Sequence, residues 1–113
     1  MALALNVFKT VTKVATTNAV GFYTAPIGYT GVVLLAQATN IGSGTQTVSF
    51  SHQRTTAGIA VTTEILKNFP ISASDSANLL SGKLVLESSD VLVLSASNGT
   101  DVKFLGSILE TLN

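Results

Sequence analysis

Apolar and polar residues alternate with a period of two along nearly the whole chain, as they do in β-strands that bury one face. The alternating stretches are short, and clusters of Gly, Asn, Ser and Asp separate them. No stretch has the 3.6-residue period of an amphipathic helix. The pattern predicts an all-β protein, an antiparallel β-sandwich of the jelly-roll or immunoglobulin-like type, with roughly seven to nine short strands.

The predicted strands follow one another closely, so a single domain over residues 1–113 is expected. Residues 1–17 would form its first strand or an arm used in assembly. Residues 67–70 should end a strand, residues 72–78 should form a linker, and residues 79–80 should form one helical turn or the start of a strand. The predicted strands are 7–16, 22–25, 30–39, 46–54, 59–66, 83–87, 91–97 and 101–109.

Three turn signals carry specific predictions. Ala25-Pro-Ile-Gly28 fits a type I turn with Pro at its second position and Gly at its fourth. The Gly- and Ser-rich segment 40–45 predicts a hairpin between the strands on either side of it. Asn98-Gly99 is a strong signal for a two-residue hairpin, because both residues tolerate a positive φ.

Some predicted strands are apolar on both faces, although a sandwich of this size can cover only one face of each sheet. These stretches are 32–36, 91–94 and 102–109. Either another part of the chain packs over the outer face, or other subunits bury it. We favour other subunits, and the expected interface residues are Val33, Leu35, Leu105, Leu109 and Leu112.

Composition supports this preference for assembly. Charged residues make up only 11% of the chain, the formal net charge is zero, and the mean hydropathy is +0.49. Such a surface repels its own copies weakly, which favours association. The charge balance also provides no basic patch for nucleic acid or for an anionic membrane, so neither is expected as a partner.

Other classes of protein find little support in the residues. No apolar run approaches the roughly 18 residues of a membrane span. Residues 1–9 lack the basic start and long apolar run of a secretory signal, so the chain is expected to act without Sec export. Because there is no cysteine, disulfides and thiolate metal sites are excluded.

Catalytic chemistry would have to use His52, the one histidine. Adjacent strand residues point to opposite faces, so Ser51 is poorly placed as its nucleophile, and no Gly-x-Ser-x-Gly elbow exists. We interpret His52 as a polar contact near a strand end, and we expect Asp90 and Asp101 to make Asx-type contacts with the backbone. The acidic residues are scattered, so no catalytic, cofactor-binding or metal site is predicted.

Three aromatic residues lie close together in the sequence: Phe22, Tyr23 and Tyr29. They could form a platform for a carbohydrate, because sugars stack on exposed aromatic rings. Filling the space between two sheets is the interpretation we prefer.

Several turn and strand segments of the chain resemble those of a known family. Tyr23-Thr-Ala-Pro-Ile-Gly-Tyr-Thr30, followed by Val32-Val-Leu-Leu35, is similar to the opening motif of small β-sandwich virion proteins of tailed bacteriophages. Similar segments continue from the 40–50 region through Asp90-Val-Leu-Val-Leu-Ser-Ala-Ser97 to the closing strand at 102–110. One departure is Ser89, which stands where the pattern has Gly.

The resemblance implies a non-enzymatic virion protein that serves as capsid decoration or cement, or as a neck, tail or baseplate component. Its partners would be other virion proteins and further copies of itself, with a trimer favoured. It would be made in the host cytoplasm and would end in the virion. The alternative function is a receptor- or carbohydrate-binding module on a fibre or tail tip, using Tyr23 and Tyr29. No catalytic residue or cofactor is implied.

Overall fold

The computed structural model describes residues 5–113, and the first four positions, which belong to the predicted arm, lie outside the described residues. The described part of the chain contains nine strands. They are β1 (Asn6–Val14), β2 (Val20–Thr24), β3 (Tyr29–Asn40), β4 (Gln46–Thr56), β5 (Ile59–Ile71), β6 (Ser76–Asn78), β7 (Leu84–Leu86), β8 (Val91–Ala96) and β9 (Val102–Leu112).

Two antiparallel sheets divide these strands between them. One sheet has five strands in the order β1-β9-β3-β6, with β7 also pairing with β3. The other has four strands in the order β2-β8-β4-β5. The predicted antiparallel β-sandwich is therefore confirmed.

The core lies between the two sheets and is built around aromatic rings. The Phe50 and Phe104 rings, one from each sheet, stack with their centroids 5.7 Å apart. Phe22 meets Phe104 edge-on at 4.7 Å, in the geometry that the ring quadrupole favours. Phe22 and Tyr23 both pack against the buried core, as the space-filling interpretation expected.

The hairpin predicted across residues 40–45 is wrong, because β3 lies in the five-stranded sheet and β4 in the four-stranded one. Asn40 is fully buried and organises the crossing between the sheets. Its side-chain amide donates to the carbonyls of Gly44 and Ile71, and its side-chain oxygen accepts the Gly42 N–H. A turn signal shows that the chain reverses, but it does not fix which strand the returning segment pairs with.

The Asn98-Gly99 prediction fails for the same reason, because this segment also connects strands of different sheets. Neither residue has the positive φ that a type I′ turn requires. Instead the Asn98 side-chain oxygen accepts the N–H groups of Thr100 and Asp101. The chain thereby turns through a side-chain contact rather than a tight hairpin.

The two-residue hairpin of this fold joins β4 to β5 through Ala57 and Gly58. Their φ angles are 53° and 80°, as a type I′ turn requires. Strand β5 also continues through Pro70, past the predicted end, with irregular register near Asn68. A proline is compatible with this strand because β5 is an edge, where its missing N–H is not needed.

Smaller differences concern the turn at Pro26 and the segment after β5. The Tyr29 N–H donates to the Pro26 carbonyl, and Gly28 has φ 86°. The turn therefore begins one residue later than predicted and has the positive φ of a type II third position. Leu79 forms no helical turn but enters the core, and β6 occupies the end of the predicted linker. No helix in residues 5–113 is long and apolar enough to cross a lipid bilayer.

Candidate assembly surface

The outer face of the five-stranded sheet carries a row of apolar side chains, with Leu35 and Leu105 nearby among polar neighbours. Strand β9 shows how it arises, because Phe104 and Ile108 point into the core while Leu105 and Leu109 alternate with them on the outside. Leu105 remains 42% exposed. We call this face the assembly surface, defined by Phe8, Val32, Leu35, Val85, Leu105 and Leu109.

Strand register aligns four of these side chains in one row across the sheet. Phe8 of β1 is opposite Leu109 of β9, which is opposite Val32 of β3, which is opposite Val85 of β7. The two ends of the row are the most exposed, Phe8 at 74% and Val85 at 56%. Directly opposite side chains on one face are close enough to touch, so the row forms a single apolar ridge.

A β-bulge brings Leu35 to the same face. The register between β3 and β9 shifts between Val33 and Leu35, which makes Leu34 the extra residue. Without the bulge, Leu35 would share the inward orientation of Val33, because residues two apart lie on one face. The bulge therefore explains why the apolar run 32–36 is exposed on the outer side at both Leu34 and Leu35.

The structure brings three of the five predicted interface residues together: Leu35, Leu105 and Leu109. Val33 has to be removed from the set, because its side chain is 0% exposed and lies in the subunit's own core. Leu112 is half-buried and follows the inward alternation of Ile108 and Glu110 at the end of β9.

Sequence reasoning missed Phe8, Val32 and Val85. Phe8 shares the face of Thr10 and Thr12 in the alternating first strand, so its outward position was readable from the sequence. The alignment of Phe8 with Val85 could not be predicted from the sequence, because it depends on the pairing of four strands.

A shallow depression of about 700 Å³ adjoins the assembly surface near Leu105. Ile41 and Val14 contribute apolar walls, and Lys13 and Lys103 contribute two ammonium groups. Apolar centres with polar rims are the usual arrangement of protein interfaces.

The outer face of the four-stranded sheet has the opposite character. Cross-strand pairs there include Ser49 with Ser95 and Ser51 with Glu64. Gln53 donates to Thr62 on the same face. Val91 and Val93 are the apolar residues of β8 that alternate outward, and both are half-buried.

A cluster of charged and polar groups joins β4 to the turn before β8. Asp90 is almost fully buried, and its carboxylate accepts two hydrogen bonds from Arg54, at 2.9 Å and 2.6 Å. It also lies 2.9 Å from His52 Nε2 and accepts the Glu87 N–H. The hydrogen bonds from Arg54 hold the pKa of Asp90 well below its usual value, although burial acts in the opposite direction.

This arrangement satisfies Asp90 completely and uses His52 as a structural contact, as the sequence suggested. Ser51 pairs with Val93 and lies on the outer side, whereas His52 pairs with Leu92 on the inner side, so the two do not meet. Asp90 does bond the backbone, but at the Glu87 N–H, three residues before it, rather than at a following residue as an Asx turn would; its bonds with Arg54 and His52 were not foreseen. Within residues 5–113, no three His, Cys, Asp or Glu side chains are grouped to hold a metal ion.

A second buried carboxylate, Glu110 on β9, connects the two sheets. The Tyr23 hydroxyl donates to it at 2.5 Å, and the Lys9 ammonium lies 3.2 Å away. Burial, reinforced by the bond to Glu110, raises the pKa of the Tyr23 hydroxyl above its usual value. Because Tyr23 is half-buried and turned toward Glu110, it does not offer an open ring face beside Tyr29.

Comparisons with known proteins identify the fold. No protein-family model matches the chain, and no curated protein sequence does. Among solved structures, the capsid of Helicobacter pylori bacteriophage KHP30 matches with a TM-score of 0.55 and 16% identity. That match covers 96% of this chain and 89% of the other.

Two further structures share the sandwich. The infectious bursal disease virus particle matches with a TM-score of 0.58 and 11% identity, over 97% of this chain but only 32% of the viral chain. A subunit of the disulfide-linked Bacillus endospore appendages matches with a TM-score of 0.51 and 16% identity, over 100% of this chain and 97% of the other. The chain therefore has the β-sandwich fold found in viral capsid proteins and in a pilus.

Proposed function

We propose that this protein is a non-enzymatic structural subunit of a virus particle and that it binds other subunits through the assembly surface. The observation that carries the proposal is the apolar row from Phe8 to Val85 on the outer face of the five-stranded sheet. Both ends of this row are open to solvent, since Phe8 and Val85 are mostly exposed, and the two middle residues, Val32 and Leu109, are half-buried.

The energetics of burial favour use of this surface. Full burial of a leucine or phenylalanine side chain stabilises a complex by about 1.5–3 kcal/mol. Several such residues on one flat face give a strong tendency to associate, and the small number of charges opposes it little. An exposed row of large apolar side chains on a small protein is typical of a binding surface.

The likeness to capsid proteins supports the virion as the place of assembly. The bacteriophage KHP30 match extends over nearly the whole of both chains, so the likeness is not confined to one part of either. The sequence motifs point more narrowly to the small virion proteins of tailed phages, in capsid decoration, neck, tail or baseplate. Homo-oligomerisation as a trimer and the lack of a nucleic-acid partner are part of this proposal.

The likeness to the endospore appendage supports assembly in general, but the disulfide linkage of that pilus is not part of the proposal. This chain contains no cysteine, so its copies cannot be joined in the same way. Non-covalent burial of the assembly surface is the mechanism that its residues offer.

A carbohydrate-binding role receives less support from the residues first considered for it. Tyr23 packs against the core and gives its hydroxyl to Glu110, so a platform would rest on Tyr29 alone.

The test replaces Leu105 and Leu109 together with Ser. We expect the double variant to remain folded, because both side chains point away from the core, and to lose roughly a hundredfold in association. Association is measured by sedimentation of the purified protein and by its incorporation into particles of the virus that encodes it.

The matched control replaces Val91 and Val93 with Ser on the outer face of the other sheet. It makes the same kind of change on a strand of the same sandwich and should leave incorporation unchanged. Equal incorporation of the wild-type protein and the Leu105→Ser, Leu109→Ser variant would remove the assembly surface from the proposal.

A further inference from the structure

Strand β1 is an open edge of the five-stranded sheet. It pairs with β9 on one side, over nine residues and without a register shift, and no strand of residues 5–113 pairs with its other side. An open edge presents backbone donors and acceptors on which another strand can form.

Two hydrogen bonds show which backbone groups of β1 are available. The Ala15 N–H donates to Val102, and the Leu112 N–H donates to Leu5. In an antiparallel ladder the hydrogen-bonded residues alternate, so the odd-numbered residues of β1 bond to β9. The even-numbered residues, Asn6, Phe8, Thr10, Thr12 and Val14, therefore direct their N–H and C=O groups to the open side.

The other edges of the sandwich are less suitable for a long pairing. Strand β5 has register shifts and contains Pro70, which has no N–H to donate. Strand β2 has a bulge, and β6 and β7 have three residues each. Lysines commonly protect edge strands from pairing. Of the two lysines in β1, the Lys9 ammonium lies 3.2 Å from Glu110 of its own subunit, and Lys13 is half-buried.

We propose that β1 pairs antiparallel with β1 of a second copy of this chain, about a two-fold axis at Thr10, so that two five-stranded sheets become one continuous sheet. The side chains favour this register. With Thr10 on the axis, all nine residues of β1 are paired, and Lys9 and Lys13 are each opposite a valine of the other copy.

Neighbouring registers place like charges opposite each other or leave fewer residues of β1 paired. If one strand moves by two residues in one direction, Lys9 is opposite Lys9 of the other copy. If it moves by two residues in the other direction, Lys9 is opposite Lys13 of the other copy. Like charges directly opposite one another destabilise a strand pair. Larger shifts leave much of β1 unpaired. The sequence of β1 is thus self-complementary in one register.

This pairing also joins the two assembly surfaces. Phe8 ends the apolar row on the β1 side, and the open-edge residues have their side chains on that same outer face. The paired sheets present one apolar face made of two copies. This two-fold contact is distinct from the three-fold contact of the proposed trimer and requires no virus particle, so its failure and that of the proposed virion role are separate outcomes.

Cysteine cross-linking tests the register directly, because the natural chain has no cysteine. Residues in a hydrogen-bonded antiparallel pair have Cα atoms about 5.5 Å apart, within the range of a disulfide. A Thr10→Cys variant should therefore form a covalent dimer on mild oxidation, detected by non-reducing electrophoresis.

The matched control is Thr12→Cys, on the same strand, the same face and with the same exposure. In the proposed register its two copies are about 13 Å apart along the strand, so we expect roughly tenfold less dimer. Equal cross-linking at both positions, cross-linking at Thr12 alone, or none at either position overturns the proposal.

A second measurement is independent of disulfide formation. Thr10→Pro removes an N–H that points to the open side, and Thr10→Val keeps it. We expect the dimer fraction in sedimentation to fall for the proline variant and to remain for the valine variant. If the Thr10→Pro protein dimerises as the wild type does, the pairing is overturned.

Discussion

The outer faces of the two sheets belong to one small sandwich and yet differ in the side chains that face each other across their strands. The face of the five-stranded sheet aligns Phe8, Leu109, Val32 and Val85 in a row. The face of the four-stranded sheet pairs Ser49 with Ser95 and Ser51 with Glu64. Both sheets bury their inner faces against the same core, so folding alone does not require the difference.

This contrast separates the apolar residues that folding needs from those that it does not need. Folding needs one apolar face on each sheet. A second apolar face adds nothing to the stability of an isolated subunit and exposes it to aggregation. An apolar outer face on one sheet and a polar outer face on the other are what the proposed assembly surface requires, with one face in contact with a partner and the other in water.

The largest expected effect comes from making the polar face apolar. Gln53→Leu together with Ser95→Leu would join Val91 and Val93 into one apolar stripe on the four-stranded sheet. We expect new, concentration-dependent self-association of roughly a hundredfold over the wild type, from about 3 kcal/mol of newly buried side chain. Light scattering and sedimentation measure it. A Gln53→Thr, Ser95→Thr variant, which stays polar, should behave as the wild type, and the same association by both variants would contradict the comparison.

A smaller effect concerns the buried carboxylates, one beside each sheet. Asp90→Asn removes the charge that Arg54 and His52 bind, and should lower the free energy of unfolding by about 2 kcal/mol in chemical denaturation. Glu110→Gln keeps an oxygen for the Tyr23 hydroxyl and loses an ion pair with the half-exposed Lys9, so it should cost less than about 1 kcal/mol. Equal losses of unfolding free energy in the two variants would show that Asp90 stabilises the fold no more than Glu110 does.

The lowered pKa of Asp90 also predicts an acid dependence. The unfolded chain takes up this proton near pH 4, the ordinary Asp value, while the folded protein takes it up only at lower pH. The stabilisation is therefore complete above about pH 4 and declines as the pH falls toward the folded-state pKa. Thermal unfolding between pH 7 and pH 2 should show a shallower acid decline for Asp90→Asn than for the wild type. If the stability of the two proteins declines in parallel as the pH falls, Asp90 is not the group responsible for the acid dependence.

The smallest effect lies in the turn that links the two sheets between β7 and β8. Ser89 has φ 74°, a conformation that glycine adopts freely, and it stands where the phage pattern has glycine. Ser89→Gly should raise the free energy of unfolding by about 1 kcal/mol. The neighbouring Ser88→Gly is the control, because Ser88 has no positive φ and its hydroxyl donates to the Tyr29 carbonyl, so it should destabilise. Stabilisation by both variants would disprove the conformational explanation.

The β-sandwich and part of the assembly surface could be predicted from the sequence alone. Period-two alternation places Leu105 and Leu109 opposite Phe104 and Ile108, so their outward position follows from β9 alone. The same alternation misassigned Val33, because the bulge at Leu34 sends Leu35 outward and leaves Val33 inside. A bulge changes the parity of a strand without a distinctive residue to announce it.

Strand partners were the other missing information. Asn40 and Asn98 both signal turns correctly, but each lies between strands of different sheets. Local turn chemistry fixes the chain's direction, and the choice of sheet depends on packing among distant segments. The row from Phe8 to Val85 requires four strands to be in register, so it could be seen only in the folded structure.

The bond between the Tyr23 hydroxyl and Glu110 has a mechanical consequence. Tyr23 belongs to the four-stranded sheet and Glu110 to the five-stranded sheet, so this short hydrogen bond spans the layers. The hydrophobic effect that holds the two layers together is non-directional, whereas a hydrogen bond fixes the relative position of its donor and acceptor. A directional bond between the layers resists shear. A load applied to the apolar face of a subunit would thus pass to the polar face with little slip.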